Sequence, residues 1–221
     1  MPAMEMLKQD NLHTRAVFLD ALGTIVELQS PAEHLAGALG LEPGDARLVG
    51  AVRAEMAFYR AHSHTGRDPA SLAELRRRAA EVLSAELGQR VDVETMMAAI
   101  RFRPFPDSEP ALRDLRGLGL GLVCVSNWDC SLPEVLEGCG LRDLLDGVVT
   151  SAEAGARKPD PAIFEPALAL VGCAPAEALH VGDTASEDVV AARAAGIRAL
   201  LLDRDGGGDI ASLTSLASIV G

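Results

Sequence analysis

Five short apolar segments constrain the fold of this chain most strongly. Each is a continuous apolar run rather than an alternation of apolar and polar residues, as expected for parallel strands that helices cover on both faces. The segments are Ala16–Leu19, Leu120–Val125, Gly147–Thr150, Ala178–Val181 and Ala199–Leu202. Helical patterns separate the last four segments, so we predict an α/β fold with a doubly wound parallel sheet.

The segment between the first two predicted strands has a different pattern. Residues 28–104 show amphipathic helical periodicity and no strand signal. The predicted helices are Ala32–Leu39, Ala46–Ala61, Ser71–Leu87 and Val93–Ile100. We therefore predict a helical cap domain at 28–104, inserted into a core domain that comprises 15–27 and 105–221, with a flexible tail at 1–14.

Composition limits the partners of this chain. Its formal net charge is -12 and it has no Lys/Arg-rich run, so its surface repels nucleic acid and anionic membranes. No apolar run reaches the length of a membrane span, and the N-terminal residues lack the apolar segment of a secretory signal. The 4 cysteines form no C-x-x-C pair and are interpreted as reduced thiols. We predict a soluble, cytoplasmic monomer or homodimer that binds a small anionic substrate.

Polar side chains follow the predicted strands at the point where each strand ends. They are Asp20, Ser126, Asn127, Lys158, Asp183 and Asp188. In a doubly wound sheet, ligands bind beyond the carboxyl ends of the strands, where the strand order reverses. We therefore expect these side chains to meet in one crevice.

The charges of these residues suggest a chemistry. Two carboxylates as close as Asp20 and Asp183 would be cannot both stay ionised without a cation, and Mg²⁺ is held by one or two carboxylates together with substrate phosphate. Lys158 adds a positive charge, and Asp20 can attack as a nucleophile. Because phosphoryl transfer depends mostly on positioning and charge neutralisation, this set favours a phosphate substrate.

Four ordered motifs carry a family resemblance. They are Asp20-x-x-Gly-Thr24, Ser126-Asn127, Lys158-Pro-Asp160 and Gly182-Asp183-x-x-x-x-Asp188. In this order and at these strand ends, they resemble the motifs of the haloacid dehalogenase-like (HAD) hydrolase superfamily. The resemblance implies a Rossmann-like HAD core, and the insert at 28–104 lies where that family carries its helical cap.

The resemblance implies a metal site. Asp20 would be both the nucleophile and a Mg²⁺ ligand, and Asp183 would be a second ligand. The backbone carbonyl of Leu22 would be a third, because that contact does not need a side chain. Asp188 would be a further ligand or a carboxylate that supports the ligands.

The resemblance also implies a substrate site. Lys158 would be the catalytic charge partner of Asp20. Ser126 and the amide of Asn127 would bind phosphate. Thr24 is grouped with these substrate-binding residues and would support the loop of the first motif.

Leu22 departs from the pattern of the family's phosphatases, which usually carry at that position an Asp that serves as general acid and base. Without this Asp, the reaction lacks general acid and base catalysis, which typically raises the rate by about 10²–10⁴-fold. Substrates with poor leaving groups should therefore react slowly, whereas acyl and aryl phosphates should suffer less.

Leu22 is also compatible with three other functions. The family's dehalogenases also lack this Asp and act without metal, but they replace the metal-binding Asp of the fourth motif, which is present here as Asp183. Phosphonate-cleaving relatives need a cap lysine, and residues 28–104 contain none. We favour a Mg²⁺-dependent phosphatase with an aspartyl-phosphate intermediate on Asp20. A metal-independent 2-haloacid dehalogenase and a non-catalytic phosphate- or partner-binding relative remain alternatives.

Some polar residues are interpreted as structural. Tyr59, Arg60, His62 and His64 lie near the end of a predicted cap helix and could reach the substrate, but we favour a solvated helix end. His180 lies inside a predicted strand and is interpreted as a buried core histidine with its hydrogen bonds satisfied.

Overall fold

A five-stranded sheet forms the centre of the computed structural model, which describes residues 13–221. The strands of the protein, in chain order, are β1 (Ala16–Leu19), β2 (Val26–Leu28), β3 (Phe102–Pro104), β4 (Gly121–Ser126), β5 (Gly147–Thr150), β6 (Ala178–Gly182) and β7 (Arg198–Leu201). The order of the sheet is β5-β4-β1-β6-β7, and each neighbouring pair runs parallel. The predicted doubly wound α/β fold is confirmed; residues 1–12 of the predicted tail lie outside the described residues.

Ten helices accompany the strands in the described part of the chain. They are α1 (Pro31–Leu39), α2 (Ala46–His62), α3 (Pro69–Leu87), α4 (Val93–Ala99), α5 (Ser108–Gly117), α6 (Leu132–Gly138), α7 (Ser151–Ala154), α8 (Glu165–Val171), α9 (Val190–Ala194) and α10 (Leu216–Val220). Between residues 13 and 221, no helix combines the length and apolarity that a membrane crossing requires.

β1 explains why the strand segments read as continuous apolar runs. Val17 and Leu19 pack into the apolar cluster that contains residues of α5 and α10, whereas Phe18 packs into the cluster that contains Phe164 and residues of α9. Because β1 is buried on both faces, an alternating pattern would leave polar groups in the core.

The chain between β1 and β4 forms a separate helical unit. Its helices α1–α4 enclose their own apolar cluster, which includes Leu35, Leu48, Leu83 and Met96. Each of these helices begins at a Ser or Asp whose side chain accepts a hydrogen bond from a backbone N–H of the first turn. The four capping residues are Ser30, Asp45, Asp68 and Asp92.

A short antiparallel ribbon joins this unit to the sheet. β2 and β3 pair with Val26 opposite Pro104 and Leu28 opposite Phe102. The absence of strand structure predicted for residues 28–104 is therefore wrong at both ends of that segment, because a three-residue strand carries no measurable periodicity. The predicted domain boundaries at 28 and 104 fall within this ribbon.

The segment that follows β6 also differs from its prediction. The sequence predicts one helix over Thr184–Ala195, but residues Ala185–Val189 form a wide π turn before α9 begins. The backbone N–H of Thr184 donates to Oδ2 of Asp188, at 2.9 Å. Such π turns are frequent at functional sites, and this one brings Asp188 back beneath the end of β6.

Candidate active site

The carboxyl ends of β4, β1 and β6 lie side by side, because the chain runs outward through β4 and β5 on one side of β1 and through β6 and β7 on the other. Asp20 directly follows β1, Ser126 is the last residue of β4, and Asp183 directly follows β6. All three line a cavity of about 450 Å³ that also contacts residues of α2, α3 and α4. The cavity thus lies where the reversal of strand order predicts a ligand site.

Lys158 is the positive charge of this site. Its Nζ donates to Asp20 Oδ1 at 2.6 Å, to Asp188 Oδ1 at 2.5 Å and to the carbonyl oxygen of Val125 at 3.0 Å. Its side chain is 1% exposed. Burial by itself would lower the pKa of Lys158, but the two carboxylates outweigh it and raise that pKa, so the ammonium group stays charged.

Asn127 fixes the backbone that carries Lys158. The Oδ1 of Asn127 accepts from the backbone N–H of Lys158 at 2.8 Å, and its Nδ2 donates to the carbonyl oxygen of Lys158 at 2.9 Å and to Glu187 at 2.8 Å. The motif predicts only a phosphate-binding role for the backbone amide of Asn127. The side chain of Asn127 therefore has a positioning role that the motif alone did not reveal.

Asp20 and Asp188 differ although both contact Lys158. Burial raises the pKa of Asp20, and the Asp188 carboxylate raises it further, while Lys158 and Ser126 oppose this change. Burial also opposes ionisation of Asp188, but hydrogen bonds from His180 and Lys158 outweigh it and lower the pKa of Asp188. Asp188 is therefore the more firmly ionised of the two carboxylates.

Asp183 completes an acidic cluster. One carboxylate oxygen from each of Asp20, Asp183 and Asp188 lies within 4.8 Å of the others. Burial and the charge of Asp20 raise the pKa of Asp183 to about 6. A hard divalent cation with oxygen ligands would relieve this repulsion, so the donor set fits Mg²⁺.

The loop after β1 places the remaining residues of the first motif. The side chain of Leu22 lines the cavity. Thr24 is fully buried, its Oγ1 makes no hydrogen bond within residues 13–221, and it does not line the cavity. The grouping of Thr24 with substrate-binding residues is therefore not supported, because its side chain cannot reach a ligand. Its carbonyl oxygen instead accepts from Arg204 at 2.8 Å, which holds the loop.

The cap residues divide into two groups. Tyr59 and Arg60 line the cavity, and the hydroxyl of Tyr59 donates to Asp129 Oδ2 at 2.7 Å. His62 and His64 do not line it, and His62 stacks on Phe58 with ring centroids 4.3 Å apart. The interpretation of this segment as a solvated helix end thus fails for Tyr59 and Arg60.

Two charged residues of the cap helices line the cavity although the sequence did not single them out as site residues. Glu55 and Arg76 both line the cavity, and Glu55 is only 6% exposed. Each looks in the sequence like an ordinary polar residue of an amphipathic helix. Only the sequence spacing could have indicated the position of Glu55. It lies four residues, or about one helical turn, before Tyr59 and therefore on the same face of α2.

A comparison with known families fits this geometry. A family model described as a haloacid dehalogenase-like hydrolase matches residues 14–196. The chain belongs to this family. The resemblance in the four motifs is thereby confirmed, and so is the predicted hydrolase class.

Related proteins match only part of the HAD-family chain. Haloacid dehalogenase-like hydrolase domain-containing protein 3 of Bos taurus is 46% identical over 95 residues, which are 43% of this chain and 38% of that protein. A phosphoserine phosphatase of Thermus thermophilus is 42% identical over 105 residues, which are 47% of this chain and 42% of that protein. The matched segments thus span less than half the length of these curated relatives.

Solved structures match almost the whole HAD-family chain. A HAD phosphatase from Thermococcus onnurineus has a TM-score of 0.66 and 25% identity, covering 94% of this chain and 98% of that chain. An L-2-haloacid dehalogenase from Xanthobacter autotrophicus has a TM-score of 0.72 and 22% identity, covering 94% of this chain and 98% of that chain. The likeness to the dehalogenase shows the fold alone, so it does not select a reaction.

Proposed function

We propose that the protein is a Mg²⁺-dependent phosphatase that hydrolyses a small phosphorylated metabolite through an aspartyl-phosphate intermediate on Asp20. The observation that carries the proposal is the contact between Lys158 and Asp20, at 2.6 Å, beside the carboxylate of Asp183 in a cavity of about 450 Å³. Relatives named as a phosphoserine phosphatase and a glyceraldehyde 3-phosphate phosphatase support it.

The reaction assigns one role to each residue. An Oδ atom of Asp20 attacks phosphorus, the bond from phosphorus to the ester oxygen breaks, and the alcohol leaves with a proton taken from water. Water then hydrolyses the acyl phosphate, which releases phosphate and restores Asp20. Lys158 offsets the negative charge of Asp20 and of the phosphoryl group, and Ser126 with the Asn127 amide binds phosphoryl oxygens.

The proposed metal site uses residues that already lie together. Asp20, Asp183 and the carbonyl oxygen of Leu22 would hold Mg²⁺. When bound, the ion supplies neutralisation of charge on the phosphoryl oxygens. Asp188 supports the site by orienting Lys158, because both of its carboxylate oxygens already accept hydrogen bonds.

The surroundings of the site enter the proposal as well. Residues 28–104 act as a cap that closes over the substrate and excludes bulk water from the acyl phosphate. The protein is proposed to act in the cytoplasm on a small anionic substrate, as a monomer or homodimer. Its net charge of -12 disfavours nucleic acid and anionic membranes as partners.

Leu22 also favours a second candidate, a metal-independent 2-haloacid dehalogenase. In that reaction Asp20 would displace halide from carbon without a metal ion. Asp183 argues against it, because a second carboxylate whose pKa is raised to about 6 beside Asp20 opposes a nucleophile that must stay ionised.

Hydrolysis of p-nitrophenyl phosphate tests the proposal. The wild-type protein should release p-nitrophenol with Mg²⁺, should lose this activity with EDTA, and should lose it in Asp20→Asn. Release of chloride from 2-chloropropionate in EDTA, without phosphatase activity, would establish the dehalogenase instead. Binding of phosphate without either activity would point to the non-catalytic relative.

A further inference from the structure

Glu55 is a buried carboxyl group that the proposed reaction does not use. It lies on α2 and is 6% exposed, yet it lines the cavity. Within residues 13–221 its carboxylate makes no hydrogen bond or ion pair, and burial is the sole cause that raises its pKa to about 7. Buried carboxyl groups are normally paired or hydrogen-bonded, whereas this one faces the cavity without a partner from residues 13–221.

The walls near Glu55 do not supply that partner. Met56, Ala79 and Met96 line the same cavity with apolar side chains. Arg60 and Arg76 line it too, but within residues 13–221 neither guanidinium forms an ion pair with Glu55. Ionised Glu55 thus has no counter-charge from residues 13–221, and a cationic group that enters the cavity would supply one.

The position of Glu55 is fixed relative to the catalytic residues. Tyr59, one helical turn later, donates its hydroxyl hydrogen bond across the cavity wall to Asp129, which follows β4 in the core. The same loop carries Asn127, which holds Lys158. The face of α2 that presents Glu55 is thus connected to the loop that shapes the phosphate site.

We propose that Glu55 forms a subsite for a cationic group on the leaving alcohol, so that the substrate is a phosphate monoester that carries an ammonium group. This proposal rests on the proposed phosphatase function. A second anionic group at Glu55 would be repelled, and a hydroxyl group would supply a hydrogen bond but no charge. An ammonium group supplies both, and a hydrogen bond between two charged groups is about twice as strong as one between neutral groups.

Binding of two matched esters tests the subsite. 2-Aminoethyl phosphate and 2-hydroxyethyl phosphate differ only in the group that would meet Glu55. Calorimetry with Mg²⁺ on the Asp20→Asn protein, which cannot consume the esters, should show that the amino ester binds at least about tenfold more tightly. Adding Glu55→Gln, which keeps the side-chain volume and removes the charge, should abolish this preference.

A control variant and a second ligand keep the result interpretable. Glu86→Gln in the Asp20→Asn background removes a charge from an exposed site on α3 outside the cavity and should keep the preference. Inorganic phosphate should still bind to the Glu55→Gln protein, which shows that the phosphate site is intact. Equal affinity for the two esters, failure of both to bind, or a preference that survives Glu55→Gln would overturn the proposal.

The design separates this proposal from the proposed function. If the protein binds the amino ester preferentially but the wild type does not hydrolyse it, the subsite is supported and the phosphatase function is contradicted. If the wild type hydrolyses both esters but the protein binds neither preferentially, the phosphatase function is supported and the subsite is contradicted.

Discussion

His180 and Asp188 lie in direct contact, with Nε2 of the imidazole 3.0 Å from Oδ1 of the carboxylate. Burial lowers the pKa of His180, so the ring is neutral, and it must donate from Nε2 because a carboxylate can only accept. The same Oδ1 accepts from Lys158, and Oδ2 accepts from the backbone of Thr184. Asp188 is thus fully engaged by the protein, whereas Asp183 accepts, among residues 13–221, only from the hydroxyl of Thr184.

This difference predicts opposite phenotypes for two Asp→Asn variants. Asp183→Asn should weaken Mg²⁺ binding at least about tenfold, because it removes a free ligand, and it should slightly stabilise the metal-free protein, because it removes an unfavourable charge. Asp188→Asn should destabilise the fold by roughly 3 kcal/mol, because it breaks a buried ion pair. Calorimetric titration with Mg²⁺ and urea denaturation measure the two effects. If Asp188→Asn lost Mg²⁺ binding while keeping its stability, the division of roles would be reversed.

The sheet could be predicted from the sequence because strands that are buried on both faces form continuous apolar runs. Ala16–Leu19 and Gly147–Thr150 form strands with the predicted bounds, and the other three strands end within one residue of theirs. The ribbon of β2 and β3 could not be predicted, because three-residue strands carry no pattern. The π turn at Ala185–Val189 was also missed, because it depends on the hydrogen bond from Thr184 to Asp188 rather than on helix propensity.

Only the site residues that lie near the carboxyl ends of the strands could be predicted from the sequence. Asp20, Lys158 and Asp183 follow from the topology, because parallel strands bring their carboxyl ends to one edge. Glu55 could not be found in this way. Its burial results from the packing of α2 against neighbouring helices, and a lone Glu in an amphipathic helix is normally solvated.

Gly23, in the first motif, lies against the carboxylate of Asp183. Its φ is +82°, and a Cβ added there would lie 2.0 Å from Oδ2 of Asp183. Gly23→Ala should therefore cost about 1–2 kcal/mol of stability from the left-handed backbone alone, and it should also weaken Mg²⁺ binding by displacing Asp183. Urea denaturation and a Mg²⁺ titration measure both effects.

Gly37 offers the matched control for Gly23. It lies within α1, and a Cβ added there meets nothing within 4 Å. Gly37→Ala should stabilise the protein by about 0.5–1 kcal/mol and leave Mg²⁺ binding unchanged. Equal effects of the two substitutions on Mg²⁺ affinity would show that contact with Asp183 is not what requires glycine at position 23.

Glu55 should make stability depend on pH. Its pKa is raised by burial from 4.5 to about 7, so the protonated form favours the folded state. This stabilisation is fully present below pH 4.5 and is lost as the pH rises through about 7. Between about pH 5 and about pH 8.5, the wild-type protein should lose roughly 2–3 kcal/mol more unfolding free energy than Glu55→Gln.

Urea denaturation at the two pH values measures this difference. Glu86→Gln should follow the wild-type protein, because Glu86 is exposed and has no buried charge to relieve. Parallel pH profiles for the wild type and Glu55→Gln would mean that the carboxyl group of Glu55 is solvated in the folded protein, which would also remove the basis for an ammonium subsite.

Leu22 predicts which leaving groups the protein tolerates. Its side chain lines the cavity and cannot donate a proton to the departing oxygen. Leu22→Asp should therefore raise kcat for alkyl phosphates by up to about 10²-fold, with a much smaller gain for p-nitrophenyl phosphate, whose leaving group needs no proton.

Leu22→Asn is the matched control, because Asn is similar in size and polarity to Asp but has no acidic proton. It should not raise the rate for either substrate. Steady-state kinetics of both variants on both substrates with saturating Mg²⁺ measures the effect. Unchanged or lost activity in Leu22→Asp, with Mg²⁺ affinity preserved, would show that the wild-type reaction does not lack a general acid at this position.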